Sequence, residues 1–162
     1  MPKQQKYAEF QYDGELCAGH LLVWTWRKLV VGHDHCPVLT REYERFAGPQ
    51  ADALLSAFAD FLLALGKASR RMLSVGQPYC AGLTADEERM LRLIAAAQTG
   101  DAVLLWAHLA WLARREYQDD VRLAANRLAD ALRDAGVILP PVRTALPNTS
   151  AVLEVVRAHS RM

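Results

Sequence analysis

The sequence has no apolar run long enough to span a bilayer. Its longest, from Ala102 to Ala113, covers 12 residues with one polar interruption at His108, whereas a membrane helix needs roughly 20. No apolar run follows the basic residues near the N-terminus, so a signal peptide is not expected. The three cysteines are an odd number, which argues against a disulfide framework. We therefore expect a cytoplasmic protein with reduced thiols and no membrane association.

The motifs of several enzyme classes are also missing. The chain has no Walker A loop, dinucleotide-binding glycine fingerprint, HExxH or GxSxG, and no Glu-x-x-His of a di-iron bundle. Adjacent acids occur at Asp86-Glu87-Glu88 and at Asp119-Asp120. Both sets stand at predicted helix starts, where the helix dipole favours acidic residues, and we expect them to be exposed. The sequence therefore favours a non-enzymatic protein.

An excess of charge of one sign is missing as well. The formal net charge is +1, so no global field attracts nucleic acid or an anionic surface. The segment 119–135 carries Arg122, Arg127 and Arg133, but its four aspartates offset them. A DNA-binding regulator is accordingly a weaker alternative, and nucleic acid is not an expected partner.

What the chain does have is helical periodicity. Its 162 residues, 52% hydrophobic and 23% charged, suit one globular domain that buries roughly two-thirds of its unfolded surface. We predict an all-α, bundle-like domain of six or seven helices. The clearest predicted helices are 14–31, 40–46, 50–74, 84–99, 101–115 and 119–135. The buried stripe of 50–74 is expected to reach Met72, and Thr84 and Glu87 are expected to form a capping box at the start of 84–99. Because the helix 101–115 is apolar on every side, we expect it to be central and buried.

The last part of the chain has a different composition. The helical domain is expected to cover 1–139, and Pro140, Pro141 and Pro147 then indicate a stiff linker within 140–162. On a short final helix, Val152, Val155, Val156 and His159 would form one apolar stripe. A linker followed by such a helix is typical of a segment that docks in a groove. The expected docking partner of 148–162 is the chain's own domain, a second copy in a dimer, or another protein.

A scattered set of metal-ligand residues forms the other candidate site. His33, His35 and Cys36 lie in one predicted loop and Cys80 in another, and imidazole and thiolate are the ligands that zinc prefers. The alternatives are a solvated polar loop with both cysteines packed as small apolar residues, or a Cys36–Cys80 redox pair. A zinc site or a redox pair requires the loops 32–37 and 76–83 to adjoin.

Three functions follow from these patterns. The leading hypothesis is a small cytoplasmic interaction or regulatory protein without enzymatic activity, able to self-associate. The alternatives are a metal- or redox-responsive regulator using His33, His35, Cys36 and Cys80, and a DNA-binding regulator. His108 adds one open question, because it could ligate a haem iron or be a core histidine bonded to a carbonyl or carboxylate.

Overall fold

The computed structural model describes residues 11–12, 15–16, 18–33, 35–78 and 82–139, and most of these residues are helical. The predicted all-α class is therefore confirmed. The segment 140–162 and Cys80 lie outside the described residues. The division into a domain and a tail, and the count of helices for the whole chain, stay predictions.

The described helices follow one another along the chain, and the longest connection between them, 69–84, separates the third helix from the fourth. They are α1 (Ala18–Val30), α2 (Pro37–Ala47), α3 (Ala51–Ala68), α4 (Ala85–Thr99), α5 (Ala102–Leu112) and α6 (Gln118–Asp134). Short 3₁₀ turns at Gly48–Gln50 and Arg115–Tyr117 precede α3 and α6. Before α1, β1 (Gln11–Tyr12) pairs antiparallel with β2 (Glu15–Leu16), with Gln11 opposite Leu16.

Local capping signals set the ends of α4 and the start of α5. The Glu87 N–H donates to Thr84 Oγ1 at 3.1 Å, and the Thr84 N–H donates to Glu87 Oε2 at 2.8 Å, which is the predicted capping box. Gly100 then takes the left-handed conformation with φ of 70°. Asp101 caps α5 by accepting the Leu104 N–H at 3.1 Å. The two helices are therefore joined by only two residues.

The core is built mainly around α6, which packs against α3 and α4. The apolar face of α6 predicted from the sequence is buried, including Val121, Ala125, Leu128 and Leu132. Helix α2 packs on α3, while α5 packs on α4 and touches the edge of α6. This arrangement leaves α5 at the periphery of the bundle.

The helix that is buried on nearly every side is α1. From Leu21 to Lys28 every residue is buried, including three polar ones. The Thr25 hydroxyl donates to Leu21 O at 2.7 Å and lies 2.8 Å from the Tyr43 hydroxyl of α2. Because the Thr25 hydroxyl proton is donated to Leu21 O, the Tyr43 hydroxyl is the donor in its hydrogen bond with Thr25. Buried polar side chains of α1 are thus satisfied by their neighbours.

The expectation that 101–115 forms a buried central helix is wrong. Its helical part is Ala102–Leu112, and only Leu105, Leu109 and Leu112 of it are buried. These three residues occupy one face at helical spacing and contact the core. The remaining apolar side chains of α5 point away from the bundle.

Two further helix boundaries differ from the prediction. Helix α2 begins at Pro37 rather than Thr40, because proline suits the first helical position, where no N–H is required. Helix α3 ends at Ala68 rather than near Ser74, and Met72 is almost fully exposed. There the chain turns away, and the Arg114 N–H donates to Ala68 O at 2.8 Å. Contacts with distant segments therefore end α3 earlier than its sequence pattern predicts.

Candidate functional site

The predicted zinc ligands do not form a group in the described structure. His33 and His35 are exposed in the connection after α1, whereas Cys36 is half-buried and packs against the hydrophobic core. Among the residues described, no three His, Cys, Asp or Glu side chains are grouped so that they could hold a metal ion. Cys80 lies outside those residues, so the four-ligand set and the Cys36–Cys80 pair stay predictions.

His108 lies on the side of α5 that faces α4. The side chain is half-buried. Its pKa lies below the ordinary value, first because burial disfavours the charged imidazolium and then because Arg89 and Arg92 of α4 are close. His108 is therefore neutral at pH 7, and it stands at the edge of the helix pair instead of inside the core.

The most unusual surface of the described structure is the outward side of α5. Its exposed fractions are 80% for Val103, 50% for Leu104, 41% for Trp106 and 57% for Trp111. We call this region the α5 surface and define it by its exposed apolar residues, Val103, Leu104, Trp106, Ala107, Ala110 and Trp111. Together the four large side chains present on the order of 400 Å² of apolar area, which is in the range of surface patches that are often functional.

Helical geometry places the two tryptophans on either side of a line of smaller side chains, and we call this arrangement the channel. Val103, Ala107 and Ala110 stand at i, i+4 and i+7 and therefore form one line along the helix. Trp106 lies on one side of this line, and Trp111 lies on the other. A strip of small side chains between two indole rings allows another backbone to approach closely while the rings contact its flanks.

Arginines from the neighbouring helices border both tryptophans. The Arg89 guanidinium of α4 stands 4.1 Å from the centre of the Trp111 ring, and that of Arg122 in α6 stands 5.8 Å from the Trp106 ring. Each cation–π contact contributes roughly 0.5–1 kcal/mol at an exposed position. The two contacts hold the indoles in place and give both edges of the channel a positive charge.

A groove between α3 and the start of α6 is a second candidate binding feature. It encloses about 500 Å³ and is lined by Asp60, Leu63, Ala64, Lys67, Tyr117 and Asp120. Most of these residues are exposed, and their charges are of both signs. A molecule in this groove would remain largely in water, so the α5 surface is the stronger candidate.

Sequence reasoning missed a buried pair of carboxylates. Asp86 and Glu87, expected to be exposed, are 1% and 0% exposed. Glu87 accepts from Arg27 Nε and Nη2, both at 2.7 Å, while Asp86 accepts from Arg71 Nη1 at 2.8 Å and Nη2 at 2.7 Å. A lone arginine inside the apolar α1 was the available signal, because a buried arginine requires an acidic partner.

Backbone donors complete this network. Asp86 accepts the Ser74 N–H at 2.7 Å, and Glu87 accepts the Gly76 N–H at 2.8 Å. The segment between α3 and α4 is thereby attached to the first turn of α4. Both oxygens of each carboxylate already bind donors, so neither group is free to act as a general acid or base. The network is structural.

Two arginines of α6 form local ion pairs. Arg122 donates to Asp119 at 3.2 Å, and Arg133 donates to Asp130 at 2.8 Å. A phosphate group would have to compete with these aspartates. Within the described part of the chain, no helix is both long enough and apolar enough to cross a membrane.

Comparisons of the chain with protein-family models, with curated proteins and with solved structures find no match.

Proposed function

We propose that this protein is a non-enzymatic interaction protein that binds an amphipathic helix of a partner protein on the α5 surface. The supporting observation is the exposure of Val103, Leu104, Trp106 and Trp111 on one side of a helix whose other side is packed in the core. A patch of about 400 Å² has the size of the largest apolar patch on a typical monomer, and such patches are often functional.

The size of the surface favours a single helix over a whole domain. Helix α5 has 11 residues and is about 16 Å long. Its apolar area, on the order of 400 Å², is about half of the ~800 Å² that each partner buries in a standard interface. A two-turn to three-turn amphipathic helix lying along the channel matches this footprint. Trp106 and Trp111 would be its main anchors, since tryptophan is enriched among the residues that dominate binding energy.

The charge at the edges further specifies the partner. Arg89 and Arg122 stand on opposite edges, and Arg92 lies near His108 on the α4 side. Glu88 and Asp119 neutralise part of this charge through their pairs with Arg92 and Arg122. The remaining excess is positive, so the best-matched helix has acidic residues beside its apolar stripe.

Photo-crosslinking tests this proposal. A benzophenone amino acid is placed at Ala107 in the centre of the channel and, as the control, at Ser56, which is exposed on α3. In the native cells, position 107 should capture a defined partner that position 56 does not. The partner is then purified, and its affinity is measured by calorimetry.

Matched variants test whether the affinity for the captured partner depends on the α5 surface. Trp111→Glu should weaken binding about 30-fold or more, the loss expected for an anchor worth at least 2 kcal/mol. Leu63→Glu, at a residue of α3 that is 65% exposed, should leave the affinity unchanged. Equal affinities of wild type and Trp111→Glu would refute the proposal. If position 107 cross-links only to a second copy, the α5 surface is a dimer interface and not the site of a partner helix. If the protein sediments with phosphatidylglycerol-containing vesicles, the α5 surface binds a membrane instead.

A further inference from the structure

The described chain ends beside the start of the α5 surface. The Gln98 side chain near the end of α4 donates to Val137 O at 2.9 Å and accepts the Leu139 N–H at 2.8 Å. Gln98 is three residues before Asp101, which caps α5. The residues that follow Leu139 in the sequence therefore start from the end of the bundle where the α5 surface begins.

The chain beyond Leu139 is long enough to cover this surface. Residues 140–151 provide 12 residues before the predicted apolar stripe, and an extended chain of that length reaches up to about 40 Å. The α5 helix is only about 16 Å long. Pro140, Pro141 and Pro147 stiffen the connection, which lowers the entropy lost when it is fixed.

The sequence of the last segment matches the channel in pattern and length. Val152, Val155, Val156 and His159 recur at i, i+3, i+4 and i+7, so on a helix they form one stripe of about two turns. The line of Val103, Ala107 and Ala110 has the same length. At this spacing Glu154 and Arg157 fall on the opposite side of the helix from the stripe. The segment therefore has no acidic residue next to its stripe that could pair with Arg89 or Arg122.

We infer that residues 151–162 occupy the α5 surface of their own chain and that a partner helix must displace them. This inference rests on the proposed function, and it makes the tail a built-in competitor for the same channel. Tethering gives the segment an effective concentration of the order of mM, which exceeds that of a second copy at µM concentration. An acidic partner helix gains the charge contacts that the tail does not make, and it can therefore displace the tail.

Cross-linking within the full-length chain tests the contact itself. With the benzophenone at Ala107, mass spectrometry of the purified protein should find cross-links to 151–162 in the product of monomer mass. The control position Ser56 should give none. Val155→Asp/Val156→Asp should abolish the cross-link, whereas Glu154→Ala, on the other side of the stripe, should preserve it. A cross-link of dimer mass, the lack of a cross-link, or one that survives Val155→Asp/Val156→Asp would overturn the inference.

Binding of the captured partner separates this inference from the proposed function. If the tail occupies the channel about nine-tenths of the time, its removal raises the apparent affinity about tenfold. Val155→Asp/Val156→Asp should therefore bind the partner about tenfold more tightly than wild type. If wild type and Val155→Asp/Val156→Asp bind the partner with equal affinity, and both lose this binding in Trp111→Glu, the role of the tail is overturned and the proposed function is left intact. Cross-linking of the tail without Trp111-dependent partner binding would refute the proposed function instead.

Discussion

Glu87→Gln perturbs a buried charge that accepts four hydrogen bonds. Glu87 Oε1 accepts from Arg27 Nε at 2.7 Å and the Gly76 N–H at 2.8 Å, and Oε2 accepts from Arg27 Nη2 at 2.7 Å and the Thr84 N–H at 2.8 Å. Glutamine preserves the shape but replaces one oxygen by an NH₂ group, which donates and cannot accept. Two of the four hydrogen bonds are lost, and Arg27 remains charged and buried without its counter-ion.

The expected cost follows from these losses. Removing one partner of a buried ion pair destabilises a protein by about 3–5 kcal/mol. Arg27 retains two carbonyl acceptors, Gln77 O at 3.2 Å and Gly82 O at 2.7 Å, so we expect the lower end, about 3 kcal/mol. For a domain of this size each kcal/mol lowers Tm by roughly 2–4 °C, which gives a decrease of roughly 6–12 °C.

Urea denaturation followed by far-UV circular dichroism at pH 7 measures this cost. The matched control is Glu88→Gln at the next position, where the carboxylate makes a partly exposed pair with Arg92 at 2.8 Å. Such a pair contributes about 0–1 kcal/mol, so the control should stay near wild type. A loss below about 1 kcal/mol for Glu87→Gln would show that the buried pair does not stabilise the fold.

Acid denaturation provides a second readout of the same group. Burial alone would raise the Glu87 pKa, but the hydrogen bonds from Arg27 and from the Thr84 and Gly76 N–H groups outweigh it and hold the pKa below the ordinary 4.5. A carboxyl with a lowered folded pKa stabilises the protein above its unfolded pKa, and this stability is lost as pH falls through the folded pKa. Wild type should therefore lose stability below about pH 4.5, and Glu87→Gln should lose less over that range.

Four further substitutions test other parts of the structure. Gly76→Ala would place a Cβ 2.8 Å from Arg27 Nη2 and should lower the free energy of unfolding, measured with urea, by about 1–3 kcal/mol. The control Gly66→Ala, whose Cβ would have no atom within 4 Å, should instead raise it by about 0.5–1 kcal/mol. Equal changes in the two variants would contradict the close packing of Gly76 against Arg27. Tyr43→Phe should cost about 1 kcal/mol at pH 7. Because burial raises the Tyr43 pKa, wild type should lose stability as pH rises above the ordinary tyrosine pKa of about 10, and Tyr43→Phe should not show this loss. The zinc hypothesis predicts one equivalent of metal by elemental analysis of untagged protein and its loss in His35→Asn; substoichiometric zinc in wild type would end that hypothesis.

Features that depend on neighbours along the chain could be predicted from the amino-acid pattern. The predicted Thr84/Glu87 capping box is formed, Gly100 takes the left-handed conformation after α4, and Asp101 caps α5. Each requires only groups within a few residues, so the signal is local. The apolar stripe of α6 was also predictable, since one apolar side and one polar side leave a single way to orient the helix.

Which apolar helix lies inside depended on contacts between distant parts of the chain. Helices α1 and α5 both lack a polar side, and hydrophobicity alone favoured α5 for the centre. The structure instead buries α1, although it contains Thr25, Arg27 and Lys28, because side chains from other elements satisfy its polar groups. Tyr43 of α2 donates to Thr25, and Glu87 of α4 binds Arg27. These partners are 18 and 60 residues away in the sequence, beyond the reach of any local pattern.

The same long-range pairing explains the candidate site. Acids at a helix start are expected to be exposed on local grounds, yet Asp86 and Glu87 are buried because Arg71 and Arg27 meet them there. With α1 inside and α4 fixed by this network, α5 packs mainly on α4 and on the edge of α6 among the described elements, and its outer apolar side is exposed. The sequence determined that α5 is apolar all round. Which side is covered depended on the packing of distant helices, and that packing produced the surface to which we assign binding.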